Sequence, residues 1–147
     1  KKHSERAIQE KVFREFISLA IESEKPVVVH SRYSDRKCLS ILEEMGPKKV
    51  HMHWFTNNSE SAAEAVESGY FISCGPIILN DKSSAEIVKA IPLESILLET
   101  DAPVAFGGLE SEPSWIPRVC EKVSELKGIS FGKVASATTR NFRSLYK

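Results

Sequence analysis

What most constrains this chain is a strand-like apolar run that ends on a metal-capable side chain, met three times in order. The runs are Pro26-Val27-Val28-Val29-His30-Ser31-Arg32, Val50-His51-Met52-His53-Trp54-Phe55 and Leu97-Leu98-Glu99-Thr100-Asp101-Ala102-Pro103. Each delivers a histidine or an aspartate at its C-terminal end: His30, His53 or Asp101. A β/α barrel assembles a metal site in this way, one side chain per strand end.

Helical segments separate the runs. Residues 4–23 carry Ile8, Val12, Phe16, Leu19 and Ala20 at helical spacing, which predicts an amphipathic helix with these residues on its apolar face. Ser34 is placed to cap a helix running to Met45, which Gly46-Pro47 stops. Further helices are expected over 59–68, 83–91, 114–127, 131–138 and 141–146, and strands over 49–53, 70–73 and 95–100. Trp115 falls on the apolar stripe of the 114–127 helix and reads as core, and residues 103–113 read as a loop. The βα rhythm argues for a parallel sheet of about four strands with crossover helices. Periodicity alone leaves half a barrel and a small open sheet equally open.

Strand alternation gives the faces. His30 shares a face with Val28, His53 with His51, and Asp101 with Glu99 and Leu97. The intervening apolar residues point the other way, toward the helices. The same register in all three runs brings His30, His53 and Asp101 to one rim. Two imidazoles and a carboxylate suit Zn²⁺, Mn²⁺ or Mg²⁺, and the donor types alone do not choose among them.

Composition narrows the partners. The 147 residues carry 20 basic and 20 acidic side chains, so no strong basic stripe announces nucleic acid. Bound metal adds positive charge that this count omits. Three widely spaced cysteines, Cys38, Cys74 and Cys120, read as reduced thiols of a cytoplasmic protein. No apolar run approaches the ~20 residues of a membrane helix.

The segments also resemble a known family. Gln9 and Phe13 through Arg32, Met52-His53-Trp54-Phe55, Gly69-Tyr70-Phe71-Ile72-Ser73, Pro92 through Pro103 with its Glu-Thr-Asp-Ala-Pro, and the close from Val134 to Tyr146 are similar to the TatD-type metal-dependent deoxyribonucleases. The resemblance covers nearly the whole chain. It implies the C-terminal half of a TIM-type (β/α)8 barrel over residues 1–147, because the family's opening His-x-His and its middle glutamate ligand have no counterpart here. The family pattern closes on Leu-Phe, where this chain has Leu145-Tyr146.

By position, the resemblance implies that His30, His53 and Asp101 bind a divalent metal, with Asp101 also orienting or deprotonating the attacking water. Glu99 stands behind these ligands, and His51 or Arg32 is expected to hydrogen-bond to it. Trp54 and Phe55 are candidates for stacking on a base. DNA is the implied substrate. Residues 104–113 depart from the family in being Gly-rich and acidic, with Glu110 and Glu112 and no lysine or arginine. That segment leaves two alternatives standing. One is a metallohydrolase of a small amide, ester or lactone. The other is a non-catalytic half-barrel that self-associates through its open strand edges.

Overall fold

A computed structural model describes residues 3–56 and 58–147. Four parallel strands form one sheet in the order β1 (Val27–His30), β2 (Val50–His53), β3 (Phe71–Cys74), β4 (Ile96–Leu98). Connecting helices alternate with them: α1 (His3–Glu22), α2 (Asp35–Met45), α3 (Ser59–Glu67) and α4 (Lys82–Ala90). After β4 come a small hairpin, β5 (Ala105–Phe106) and β6 (Leu109–Glu110), and two helices, α5 (Ile116–Lys127) and α6 (Phe131–Tyr146). This is the architecture of a partial α/β barrel.

Register follows from burial of one face. Val27 pairs with Val50, Val29 with Met52, Met52 with Ile72, and Ile72 with Ile96. All of these side chains are buried. Covering such a side chain contributes about 1.5–3 kcal/mol, so a slip of one residue would turn the whole row out of the core. Leu39, Leu42, Ala62, Ala65, Ile87 and Val88 from α2, α3 and α4 complete the layer. The opposite face carries His30 and His53 side by side, with Val28 beside His51. Val28 is 53% exposed, because β1 is an edge and little covers its inner face.

Local chemistry sets the helix ends. Asn58 and Asp81 cap α3 and α4, their side chains accepting from the N–H groups of Ser61 and Ser84 at 2.7 Å each. Gly46 and Gly128 end α2 and α5 in the left-handed conformation. Ser34 is the N-cap residue of α2, but its hydroxyl donates to the Ser31 carbonyl instead of capping. Asn141 anchors α6 beneath β4, its amide donating to the carbonyls of Leu93 and Ile96 at 2.8 Å each.

Four further expectations are corrected. Of the α1 stripe, Ala20 packs on the core, but Ile8, Val12, Phe16 and Leu19 are 46–63% exposed, and the helix packs through Phe13 and Ile17 instead. Residues 131–146 form one helix, because nothing in Thr138-Thr139-Arg140 breaks the backbone ladder. The loop over 103–113 contains the β5–β6 hairpin, turned at Gly107-Gly108 with positive φ at both glycines. Trp115 lies in a 3₁₀ turn ahead of α5 and is half-buried under the Arg118 guanidinium. All three cysteines are free.

Candidate metal centre

The ends of β1, β2 and β4 bring His30, His53, Glu99 and Asp101 to one rim. The His30 and His53 rings lie 5.5 Å apart, centroid to centroid. His53 is the centre of the cluster. Its Nδ1 is 2.5 Å from Glu99 Oε2, and its Nε2 is 3.4 Å from Asp101 Oδ1. The Glu99 carboxylate is held on its other oxygen too, accepting from the Trp54 N–H at 2.8 Å. The Glu99 N–H in turn donates to the Cys74 carbonyl at 3.0 Å, continuing the β3–β4 ladder past the end of the strand.

Backbone geometry aims these groups. Trp54 and Asp101 each follow a strand and each sit at φ +51°. Such a conformation is uncommon for a residue with a Cβ and turns the chain sharply at the rim. Gly75 leaves room for this turn: a Cβ there would lie 2.5 Å from Trp54 Cζ3. The indole stacks on Phe106 of the hairpin, with centroids 4.9 Å apart and an interplanar angle of 22°. Ser111 and Val104 tie the hairpin base to the site, through Ser111 Oγ to the Thr100 carbonyl and the Val104 N–H to the Asp101 carbonyl, both 2.9 Å.

One layer below, His51 is buried at 8% exposure. Its Nδ1 lies 2.7 Å from the Tyr146 hydroxyl at the end of α6, and its Nε2 is buried without a hydrogen-bond partner among the described residues. Burial pushes the His51 imidazole down to about 4, against an opposing pull from Glu99, so it is neutral at physiological pH. His53 is shifted up, chiefly by its hydrogen bond to Glu99.

Two overlapping donor groups therefore share His53. Ring nitrogens of His51 and His53 and a Glu99 oxygen lie within 4.8 Å of one another, a cluster able to hold a metal ion. At the rim, His30 and Asp101 flank His53 on its other side, more widely spaced than that cluster. A metal-binding histidine characteristically gives its second N–H to a carboxylate, and Glu99 takes that part on Nδ1, leaving Nε2 beside Asp101. This donor chemistry fits a divalent cation.

Three sequence expectations fail geometrically, the first being a His51–Glu99 hydrogen bond: His51 Nδ1 meets Tyr146 instead, and Nε2 has no partner among the described residues. Arg32 does not reach Glu99; it is exposed, its guanidinium lying 5.3 Å from the Tyr33 ring centroid. Phe55 is buried at 5% exposure within the core, because the turn at Trp54 reverses the strand alternation, and it cannot stack on a base. Trp54 is half-buried between Gly75 and Phe106 and serves the rim as packing. Tyr146, Ser73 and the Phe106 hairpin were not singled out from sequence. The available signal for Tyr146 was a tyrosine at the family's closing phenylalanine.

Comparison with known proteins agrees with this architecture. Residues 1–147 match the family model described as TatD related DNase. The chain belongs to the TatD family of metal-dependent hydrolases. It is 38% identical over 152 residues to the uncharacterized metal-dependent hydrolase YabD of Bacillus subtilis, covering 98% of this chain and 60% of that protein. It is 38% identical over 141 residues to human deoxyribonuclease TATDN3, covering 94% of this chain and 51% of that one. Among solved structures, YJJV, a TatD homologue from Escherichia coli, superposes with a TM-score of 0.82 at 28% identity, over 88% of this chain and 53% of that one. The TatD family chain thus spans little more than half the length of these relatives. Among the described residues, no helix is long and apolar enough to cross a membrane.

Proposed function

We propose that residues 1–147 form the C-terminal half-barrel of a TatD-type hydrolase that cleaves DNA phosphodiester bonds. The observation that carries this reading is the convergence of His30, His53, Glu99 and Asp101 at the C-terminal rim of the parallel sheet. His30, His53 Nε2 and an Asp101 oxygen would hold the cation. A bound divalent cation supplies Lewis acidity toward a phosphoryl oxygen and acidifies water. Glu99 accepts a hydrogen bond from His53 Nδ1–H and so fixes the ring's tautomer and direction. Asp101 orients the attacking water and takes its proton on the carboxylate. DNA as substrate is supported by the name of the human relative, deoxyribonuclease TATDN3.

The test is hydrolysis of single- and double-stranded DNA by this chain with Mg²⁺, Mn²⁺ or Zn²⁺. Metal-dependent cleavage that EDTA abolishes and Asp101→Asn lowers at least about 100-fold supports the reading. Cleavage indifferent to EDTA and to Asp101→Asn contradicts it.

One observation favours a second reading, hydrolysis of a small amide, ester or lactone. The hairpin beside the rim carries Glu110 and no basic residue, and the next residue but one is Glu112. Among the loops after β1, β2 and β4, Arg32 is the one basic side chain before α5. Turnover of a neutral ester without salt-sensitive DNA binding decides for this alternative. The exposed Val28 edge and α1 stripe also support self-association, which light scattering of the purified chain tests.

A further inference from the structure

We propose that Tyr146 is a positioning residue of the metal centre, acting through His51 and Glu99 on His53. The inference rests on the rim-metal reading above and concerns groups to which that reading gives no part.

The groups run in one line. The Tyr146 hydroxyl is 2.7 Å from His51 Nδ1. A ring nitrogen of His51 lies within 4.8 Å of a Glu99 oxygen. Glu99 Oε2 is 2.5 Å from His53 Nδ1. The far end of α6 is thereby tied to the ligand at the end of β2, 93 residues earlier in the chain.

Proton placement gives the line its direction. Two tautomers of His51 satisfy the tyrosine. If Nδ1 carried the proton, the Nε2 lone pair would be buried beside a carboxylate and repelled by it. If Tyr146 donates to Nδ1, Nε2 carries the proton, and the buried N–H is attracted to Glu99. Among the described residues His51 Nε2 has no hydrogen-bond partner, and a Glu99 oxygen lies within 4.8 Å of a ring nitrogen of His51. A separation of this size is spanned by one bridging water or a small turn of the ring. Glu99, already held by His53 and the Trp54 backbone N–H, would gain His51 as a third partner across that gap. A carboxylate so held keeps His53 Nε2 aimed at Asp101.

The hydroxyl has no other hydrogen-bond role among the described residues. The Tyr146 ring already packs on Phe142 at 4.7 Å, a contact that phenylalanine would keep. Removing the oxygen alone therefore tests the link and spares the packing.

The experiment is Zn²⁺ affinity by competition with a chelating dye, for the parent chain, Tyr146→Phe, His51→Leu and the double variant. In parallel, ¹⁵N imidazole shifts of the metal-free parent and Tyr146→Phe report the His51 tautomer. The expected result is a roughly 10-fold weaker Zn²⁺ affinity in Tyr146→Phe, the low end for outer partners of a ligand. The loss should vanish in the His51→Leu background, and the parent should show His51 protonated on Nε2. Tyr146→Phe within twofold of the parent, or a loss that persists without His51, overturns the inference while leaving the rim site standing. A parent His51 protonated on Nδ1 also overturns it, whether or not His51→Leu folds. A parent that binds no Zn²⁺ overturns the rim reading and this inference together. Zn²⁺ binding without DNA hydrolysis contradicts only the substrate.

Discussion

Replacing Gly75 by alanine is expected to unseat the rim through Trp54. The new Cβ would stand 2.5 Å from Trp54 Cζ3 and 3.1 Å from two further ring atoms. Apolar carbons settle at about 3.5–4.0 Å, so the indole must retreat by roughly 1 Å. Its neighbours oppose that retreat. Phe106 stacks on it, and the Trp54 N–H is bound to Glu99 at 2.8 Å and to Ser73 Oγ at 3.1 Å. Overpacking of a held side chain costs about 1–3 kcal/mol. At ~2 kcal/mol, a chain of this size should lose roughly 4–8 °C in Tm. Urea and thermal unfolding followed by circular dichroism measure this. The cause is isolated by Trp54→Ala: Gly75→Ala should cost less than about 0.5 kcal/mol in that background, because the clashing ring is gone. An unchanged Tm for Gly75→Ala, or an equal cost with and without Trp54, refutes the reasoning.

Three further outcomes follow from the same contacts. Asn141→Ala removes the side-chain donor from the buried Ile96 carbonyl and from the half-buried Leu93 carbonyl, and should cost about 1–3 kcal/mol, read as a lower urea midpoint with unchanged slope. Glu99→Gln keeps the shape of the side chain but removes the charge from the His53 contact, and should weaken Zn²⁺ binding about 10–100-fold by competition titration. Arg32→Ala should leave Tm unchanged, because the side chain is exposed and rests on exposed Tyr33, and should flatten the salt dependence of DNA binding by roughly one counterion if that loop meets phosphate.

The strands were legible because a parallel sheet buried on one face leaves a strong mark. Val27, Val29, Val50, Met52, Ile72 and Ile96 could face only the helices, and that placed His30, His53, Glu99 and Asp101 together on the other side. Alternation failed where the backbone left the extended region. At Trp54, φ +51° inverts the next residue, so Phe55 went to the core instead of the rim. Arg32 lies past the end of β1, where no periodicity governs direction, and it settled on Tyr33. The α1 stripe shows a different limit. Its spacing is truly amphipathic, yet a stripe is buried only if something packs on it. Here Ile8, Val12, Phe16 and Leu19 remain exposed beside the open β1 edge. The link from Tyr146 to His51 joins residues 95 apart and left no local trace beyond the tyrosine itself.

The most direct test of the account is metal binding measured on the parent chain and on His53→Ala by isothermal titration with Zn²⁺, with metal content determined on the same samples. Because the His53 Nε2 face is the shared centre of the rim group, the account predicts saturable binding by the parent and at least about a 100-fold loss in His53→Ala. Equal affinity in the two proteins, or a parent that binds no Zn²⁺, would contradict it.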